Sequence, residues 1–397
     1  MFGWRNRASR RSAPAPAWSI DAAGPANEAA RAVPALVEPT PAAPPEASNG
    51  TAHAAAGHVA GTPAATAPPP PPTPPEVRLA LYRSMLEMRV FEKRAHDLFL
   101  SGLVKGTSHL GLGQEAVAAG FGAAMRRDDY TFATYRGHNH TLARGVAMAP
   151  IMAELMGRAG GLMAGKGGSM HLTSLEHHMM GSYAIIGAHL TIANGAALSA
   201  KLRGTTQVAV CFFGDGTTNI GAFHEALNLA ATWRLPVVFV CENNRYMEYT
   251  PIEEVTAVAR PAADRAAAYG LAPLVVDGND AEAVYHLACS VLERARSGEG
   301  PSLVEALTYR HGGHSRADPA TYRPAEEVQA WLGRDPVPRL RARCVAAGVD
   351  EGVLARIEAE VAETVEAATE AAKASPPPPV ELVERDVFSD GGATWRR

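Results

Sequence analysis

The residues with the clearest chemical promise lie in one short stretch, Gly214-Asp215-Gly216-Thr217, and a second one, Asn243-Asn244, a little further along. Asp215 and Asn244 supply side-chain oxygens, which suit Mg²⁺ or Ca²⁺ better than zinc. Gly214 and Gly216 let the backbone approach a bulky anion closely. A helix starting near Asn219 would aim free N–H groups and a partial positive charge at the same place. Mg²⁺ takes few protein oxygens and completes its shell with phosphate oxygens and water. The stretch therefore predicts a magnesium–diphosphate site.

The elements around it are the right ones to position such a site. Val208-Ala-Val-Cys-Phe-Phe213 is a continuous apolar run, bounded by Gly204 and Gly214, and reads as a buried parallel strand. Residues 222–233 follow with helical spacing, and Leu235-Pro-Val-Val-Phe-Val-Cys241 is a second apolar strand. The unit is βαβ. It sets Asp215 and Asn244 just past the carboxyl ends of two strands, the edge at which open parallel sheets bind ligands.

The rest of the chain supports an α/β fold: a parallel central sheet with helices on both faces. The chain has 397 residues and 47 % apolar content, enough to bury a large core. Lys and Arg number 37 against 41 Asp and Glu, a net charge of −4, which offers no electrostatic footprint for nucleic acid. No run of about 18 apolar residues predicts a membrane span. Cys211, Cys241, Cys289 and Cys344 form no Cys-x-x-Cys pair, and reduced thiols are expected. About half of the 30 prolines precede Glu76. Residues 1–75 therefore read as a disordered Ala/Pro-rich tail, with too few large apolar residues to offset ordering entropy. Arg5, Arg7, Arg10 and Arg11, with no acid before Asp21, resemble a mitochondrial transit peptide. Pro14, Pro16 and Pro25 interrupt the amphipathic helix this would need. A basic cytosolic tail is preferred, with cytoplasmic localisation expected and the mitochondrial matrix as the alternative. From Glu76 to about residue 385 the texture is that of one domain, ending in an acidic amphipathic helix marked by Val353, Ile357, Val361 and Val365. Residues 386–397 form a C-terminal tail.

Asp215 and Asn244 are 244 − 215 = 29 residues apart. A Gly-Asp-Gly followed at about this distance by Asn-Asn is the thiamine-diphosphate motif. Further runs extend the likeness: Ser108-His-Leu-Gly-Leu-Gly-Gln-Glu115, Thr134-Tyr-Arg-Gly-His138, Gly165-Lys-Gly-Gly-Ser-Met-His171, Glu225-Ala-Leu-Asn228, Cys241-Glu-Asn-Asn-Arg-Tyr246 and Thr308-Tyr-Arg-His-Gly-Gly-His-Ser315. From about residue 80 to about 385 the chain resembles the α subunit of a heteromeric 2-oxo acid dehydrogenase decarboxylating component, with the pyruvate and acetoin dehydrogenase α subunits nearest.

The resemblance implies thiamine diphosphate and Mg²⁺ as cofactors. It assigns Asp215 and Asn244 to Mg²⁺ through their side chains and Tyr246 through its carbonyl. Gly214, Gly216 and Thr217 lie against the diphosphate, and Tyr135 and Arg136 reach it, a task that suits a guanidinium fork. Ala184 and Ile186 match positions at the aminopyrimidine and beneath the ring junction. His109 matches a histidine near the substrate, and His314 one on the phosphate-side loop that assists acyl transfer to lipoyl. In such enzymes a β subunit supplies the glutamate that activates the aminopyrimidine. An α₂β₂ assembly is implied, with a lipoyl-bearing acyltransferase downstream. The expected activity is oxidative decarboxylation of pyruvate with acetyl transfer to lipoyl groups. Acetoin and branched-chain 2-oxo acid dehydrogenase α subunits are the alternatives within the class, and a non-catalytic cofactor-holding subunit the alternative outside it.

Some positions depart from the pattern. Ile220 stands where a polar Gln is common. His189 replaces a residue often Gln or Gly, and is a candidate for tuning substrate choice beside His109 and Ile186. Ser315 matches a regulatory phosphorylation position of animal homologues, but an ordinary loop hydroxyl is the preferred reading, and Thr321 replaces a second such serine. Other matches fail. Gly160-x₄-Gly165-Lys166 imitates a phosphate-binding loop, yet Gly167 stands where Ser or Thr must hold Mg²⁺ and the preceding pattern is helical. His224-Glu225-x-x-Asn228 lacks the second His of a zinc protease. His177-His178 and His311/His314 have loose metal-ligand spacing without a Cys or carboxylate cluster.

Overall fold

The computed structural model describes residues 71–104 and 106–385. The expected tails therefore lie outside the described residues, except for residues 71–75. There Thr73 is buried with its hydroxyl 2.9 Å from His286 Nε2, and a helix opens at Pro75. Proline at a helix start loses no intrahelical hydrogen bond.

Strands β1 (Tyr130–Thr134), β2 (Met179–Tyr183), β3 (Ala209–Gly214), β4 (Val237–Asn243), β7 (Leu274–Asp277) and β8 (Ser302–Leu307) form one sheet, while β5 (Tyr246–Met247) and β6 (Thr250–Pro251) make a small antiparallel hairpin. The large sheet runs β2-β1-β3-β4-β8-β7 and every pairing in it is parallel. Its helices are α1 (Pro75–Leu100), α2 (Glu115–Ala124), α3 (His138–Ala143), α4 (Met148–Leu155), α5 (Ala188–Leu202), α6 (Gly221–Thr232), α7 (Ile252–Val255), α8 (Ala281–Arg296), α9 (Ala325–Leu332), α10 (Pro336–Ala346) and α11 (Glu351–Ala374).

The apolar runs explain the layering. Side chains alternate across a strand, so a strand buried on both faces needs an unbroken apolar run. On β3, Cys211 and Phe213 meet α5 and α6 through Leu190, Phe223 and Leu227. Val210 and Phe212 face the opposite way, onto Phe121 of α2 and Val284 of α8. β4 divides in the same manner, Phe239 to one layer and Val240 to the other. The expected α/β sandwich is what the chain forms. A further helical layer surrounds α1: Leu354, Ile357, Val361 and Val365 of α11 turn their stripe inward, onto clusters that also hold Leu81, Met85, Phe91 and Ile151. Among the described residues no helix is long and apolar enough to cross a membrane.

One expectation shifts. The helix predicted near Asn219 starts at Gly221, after a 3₁₀ turn spanning Asp215–Asn219. Thr218 causes part of this, because its hydroxyl donates to the Asp215 carbonyl at 2.8 Å and holds the tighter turn. The chain order also creates a crevice. The strand after β1 is on one side of it, and the strand after β3 lies on the other. The loops leaving β1 and β3 diverge, which is the topological switch point where such sheets bind ligands.

Candidate active site

At that switch point lies a cavity of about 480 Å³. Its wall collects the residues expected to hold cofactor, metal and substrate, His189 excepted. Tyr135 and Arg136 come from the end of β1, Ala184 and Ile186 from the end of β2, and Gly214, Asp215, Gly216 and Thr217 from the end of β3. Asn244 and Tyr246 follow β4, His109 precedes α2, and His314 follows β8. Gln114, Met170, Glu242, Met247, Glu248 and Arg310 also line it, and these sequence reasoning did not assign.

Asp215 is buried at one end of this cavity, and its two carboxylate oxygens differ. Oδ1 accepts from the Gly216 N–H at 2.8 Å, while Oδ2 is buried without a partner. Burial pushes the carboxyl up to about 6. An orphaned buried carboxylate oxygen is costly, and a cation would relieve it. Asn244 stands beside it in the wall. Its Oδ1 accepts from the Tyr246 N–H at 3.2 Å and its Nδ2 donates to Gln114 Oε1 at 3.3 Å. Arg245, with φ of 74°, turns the chain between Asn244 and Tyr246. The turn is braced from below: Asn243 Oδ1 accepts from the Arg245 N–H at 3.1 Å, and Asn243 Nδ2 donates to Glu305 at 2.8 Å. Glu305 is fully buried yet satisfied, for its other oxygen accepts from the Ala262 and Ala263 N–H groups. The contrast singles out Asp215 as the carboxylate left for a ligand. No cluster of three or more His, Cys, Asp or Glu side chains occurs among the described residues. The Asp215 carboxylate, the Asn244 amide and nearby main-chain carbonyls are thus oxygen donors, a set that fits Mg²⁺. Gly216 must be small, since a Cβ there would sit 2.5 Å from Met247 Cγ.

Cationic groups face the same cavity. Arg136 is buried and donates to the carbonyls of Leu110 and His314, the latter at 3.1 Å. Arg310 is 1 % exposed and donates to the Glu248 carbonyl at 2.9 Å and to Tyr322 Oη at 2.8 Å. Neither has a carboxylate within ion-pair distance among the described residues. Burial, and the Arg310 charge beside it, lower Arg136 to about 10. Unpaired buried guanidinium groups lining one cavity call for an anion, and their forks match a phosphate.

His109, Tyr135 and His314 form an aromatic cluster, with ring centroids 4.3 Å apart for His109–Tyr135 and 4.9 Å for His109–His314. Burial and the Arg136 charge lower His109 to about 3 and His314 to about 4, so both rings are neutral. Asp318 fixes the His314 loop by accepting from the His314 N–H at 2.5 Å, the Ala320 N–H at 2.8 Å and Tyr322 Oη at 2.8 Å. Ile186 and Ile220 give the cavity an apolar side. Gly187 permits that wall, because a Cβ on it would lie 2.2 Å from Ile220 Cδ1. His189 does not reach the cavity. It is buried, bonds the Phe212 carbonyl through Nε2 at 2.8 Å and stacks on Tyr183. The expectation that it borders the substrate therefore gives way to a place in the core.

The phosphate-loop imitation has a structural answer. Its N–H groups do converge on an anion, but an internal one. Glu154 of α4 is fully buried and accepts from Met163 and Gly165 at 2.8 and 2.9 Å, and from Gly167 and Gly168 at 2.7 and 3.2 Å. The nest is filled by the chain itself. His224 and His177 are likewise engaged locally, with Tyr269 and Ser174.

The family model of the dehydrogenase E1 component matches residues 82–381. The chain is 45 % identical over 314 residues to the acetoin:2,6-dichlorophenolindophenol oxidoreductase subunit α of Bacillus subtilis, covering 79 % of this chain and 94 % of the relative. It is 40 % identical over 312 residues to the pyruvate dehydrogenase E1 component subunit α of Rhizobium meliloti, covering 78 % and 89 %. With the Zymomonas mobilis subunit of the same name it shares 41 % over 305 residues, covering 76 % and 86 %.

Proposed function

The chain belongs to the dehydrogenase E1 component family, and on that premise we propose that it is the α subunit of a pyruvate dehydrogenase. In this reading it uses thiamine diphosphate and Mg²⁺ to decarboxylate pyruvate oxidatively and pass the acetyl group to a lipoyl group. The observation that carries the reading is the polarity of the cavity. A buried carboxylate oxygen without a donor and two buried guanidinium groups without a carboxylate share one wall. A magnesium diphosphate satisfies both.

Asp215 and Asn244 hold Mg²⁺ through side-chain oxygens and Tyr246 through its carbonyl. Arg136 and Arg310 bind the anionic end, with Tyr135, Gly214, Gly216 and Thr217 against it. Ala184 and Ile186 support the cofactor's rings from the apolar side. Bound there, thiamine diphosphate supplies an electron sink for the pair of electrons left as CO₂ departs. His109 and His314, held neutral, donate one hydrogen bond each, to the 2-oxo acid and to the incoming acyl acceptor. A β subunit completes the site and a lipoyl-bearing acyltransferase takes the product, in the cytoplasm. An exposed apolar rim supports the β partner: Ile185 is 72 % exposed, Ile186 41 % and Ile192 44 %. Exposed large apolar side chains beside a cavity suit an interface.

Acetoin is the second reading, favoured by the relative at 45 % identity against 40–41 % for the pyruvate enzymes. Pyruvate carries a carboxylate where acetoin carries a neutral hydroxyethyl group, while branched 2-oxo acids differ from pyruvate by apolar carbons worth only about 1–3 kcal/mol each, so the test is direct. The α chain co-purified with its β subunit would be assayed by dye reduction with pyruvate, acetoin and branched 2-oxo acids. Turnover of pyruvate, dependent on thiamine diphosphate and Mg²⁺, is expected. Turnover of acetoin alone would replace the first reading by the second.

A further inference from the structure

Behind the cavity wall, a buried hydrogen-bonded chain runs through side chains that none of the assigned roles uses. We propose that Glu92, His138, Ser169, Ser108 and Arg316 act together as a positioning relay that fixes His109, Arg136 and His314 relative to one another. The proposal deepens the functional reading above and rests on it for the meaning of those three residues.

Glu92 lies on α1 and is fully buried. One of its oxygens accepts from the Gly111 N–H at 2.7 Å, the other is 2.9 Å from His138 Nδ1. His138 Nε2 is 2.8 Å from Ser169 Oγ, and Ser169 Oγ is 2.5 Å from Ser108 Oγ. Arg316 donates to Ser108 Oγ and, at 2.6 Å, to the Ala95 carbonyl. Four of the five members adjoin a cavity residue: Ser108 precedes His109, His138 follows Arg136 by two, Ser169 precedes Met170, and Arg316 follows His314 by two. Segments far apart in sequence are thus tied at one remove from the site.

With the His138 proton on Nδ1, the ends of the relay set its direction. Arg316 can only donate. Burial raises Glu92, but His138, the Gly111 N–H and Arg316 outweigh it and hold the carboxyl below its usual range, so Glu92 only accepts. Between them each group has one proton to give. Arg316 donates to Ser108, Ser108 to Ser169, Ser169 to His138 Nε2, and His138 Nδ1–H to Glu92. Such a head-to-tail chain is cooperative, and a break at one link weakens the rest. Phe91 packs edge-on against the His138 ring, and the Ser169 carbonyl lies 3.1 Å from the same Nε2.

The test uses the α–β complex with thiamine diphosphate, Mg²⁺ and pyruvate. Ser169→Ala removes one hydroxyl that touches neither cofactor nor substrate. It is expected to lower kcat by about 10- to 100-fold, as displacement near 1 Å does, while KM for pyruvate changes less than about threefold. Ser169→Thr, which keeps the hydroxyl, should restore most of the loss. The double variant Ser108→Ala/Ser169→Ala should be no worse than the weaker single variant, because both cut the same chain. Losses that multiply, or a Ser169→Ala enzyme with unchanged kcat, would overturn the relay. Amide exchange at residues 108–111 supplies a readout independent of turnover: Ser169→Ala should accelerate it at least about tenfold. Unchanged exchange overturns the relay even in a complex that turns over no 2-oxo acid, whereas accelerated exchange in such a complex upholds the relay and removes the pyruvate reading.

Discussion

The Arg136 guanidinium donates to the main-chain carbonyl of His314 at 3.1 Å, joining the loop after β1 to the loop after β8. The same side chain holds the Leu110 carbonyl, next to His109. One cation therefore anchors the His314 backbone directly and the His109 segment through Leu110, while its charge has no carboxylate within ion-pair distance among the described residues. Arg136→Gln should raise the Kd for thiamine diphosphate by roughly 10- to 150-fold, the equivalent of about 1.5–3 kcal/mol for hydrogen bonds to a charged group. Arg136→Lys should recover little, because an ammonium cannot reproduce the fork. Titration calorimetry on the α–β complex at fixed Mg²⁺ measures both, and an unchanged Kd in Arg136→Gln would detach the residue from the anion.

Asp215 makes a prediction about stability without ligands. Its carboxyl is raised from 3.8 to about 6 by burial, so the folded chain holds that proton more tightly than the unfolded one. Stability from this group is greatest at low pH and declines as pH rises between about 4 and 6. Above that window the ionised form costs about 1–3 kcal/mol. Asp215→Asn should make the cofactor-free chain more stable than wild type by that amount at pH 7.5 and by almost nothing at pH 4. Urea unfolding at both pH values measures it. The same variant should lose Mg²⁺-dependent activity, a site traded against the fold.

How far this could be read from sequence depended on whether a residue's role was local. Asp215, Asn244 and the strands that present them are adjacent in the chain, and apolar runs against glycines mark them without any tertiary information. Arg310 lies within the Thr308–Ser315 run, but nothing local marks its role, since its burial depends on Asp318, Tyr322 and Arg323 folding the following loop back over it. Glu154 was invisible for the same reason: the Gly160–Gly168 stretch looks like a phosphate loop until a helix packed beside it fills the nest. Glu92 did leave a trace, a charge between Phe91 and Ala95 on the buried stripe of α1, but only the fold shows His138 opposite it. The helix starts two residues after Asn219 because Thr218 bonds back to Asp215, a competition that propensity does not rank.

Glu154→Gln should disturb a loop more than a helix. Two of its four N–H partners would face an amide NH₂ in place of an oxygen. Breaking such a buried charged network costs about 3–5 kcal/mol. Limited trypsinolysis after Lys166 should accelerate in step with the fall in unfolding free energy. If cleavage stays at the wild-type rate, the carboxylate does not organise this loop.

His189 gives the fold a sensitivity to acid. Burial lowers it to about 4, so the unfolded chain takes up its proton first, below about pH 6.5. The stabilisation from keeping it neutral is complete above that pH and lost as pH falls toward 4, by up to about 1.4 kcal/mol per pH unit. His189→Gln, which retains a donor for the Phe212 carbonyl, should show a shallower loss of melting temperature between pH 6.5 and 4.5. Parallel slopes for the two proteins would exclude His189 as the titrating group.

Ile185 tests the β-subunit surface. It is 72 % exposed in this chain, so Ile185→Asp should change the stability of the isolated α chain by no more than about 0.5 kcal/mol. Within an assembled interface the same carboxylate would be buried without a partner, at a cost of several kcal/mol. The Kd for the β subunit should therefore rise at least about 100-fold, read by sedimentation, while the melting temperature of the α chain alone stays put. Ile185 adjoins Ile186 on the cavity wall, so activity should return at high β concentration if only docking was damaged. An Ile185→Asp chain that assembles normally would move the β subunit off this rim, and with it the argument that the cavity is completed from that side.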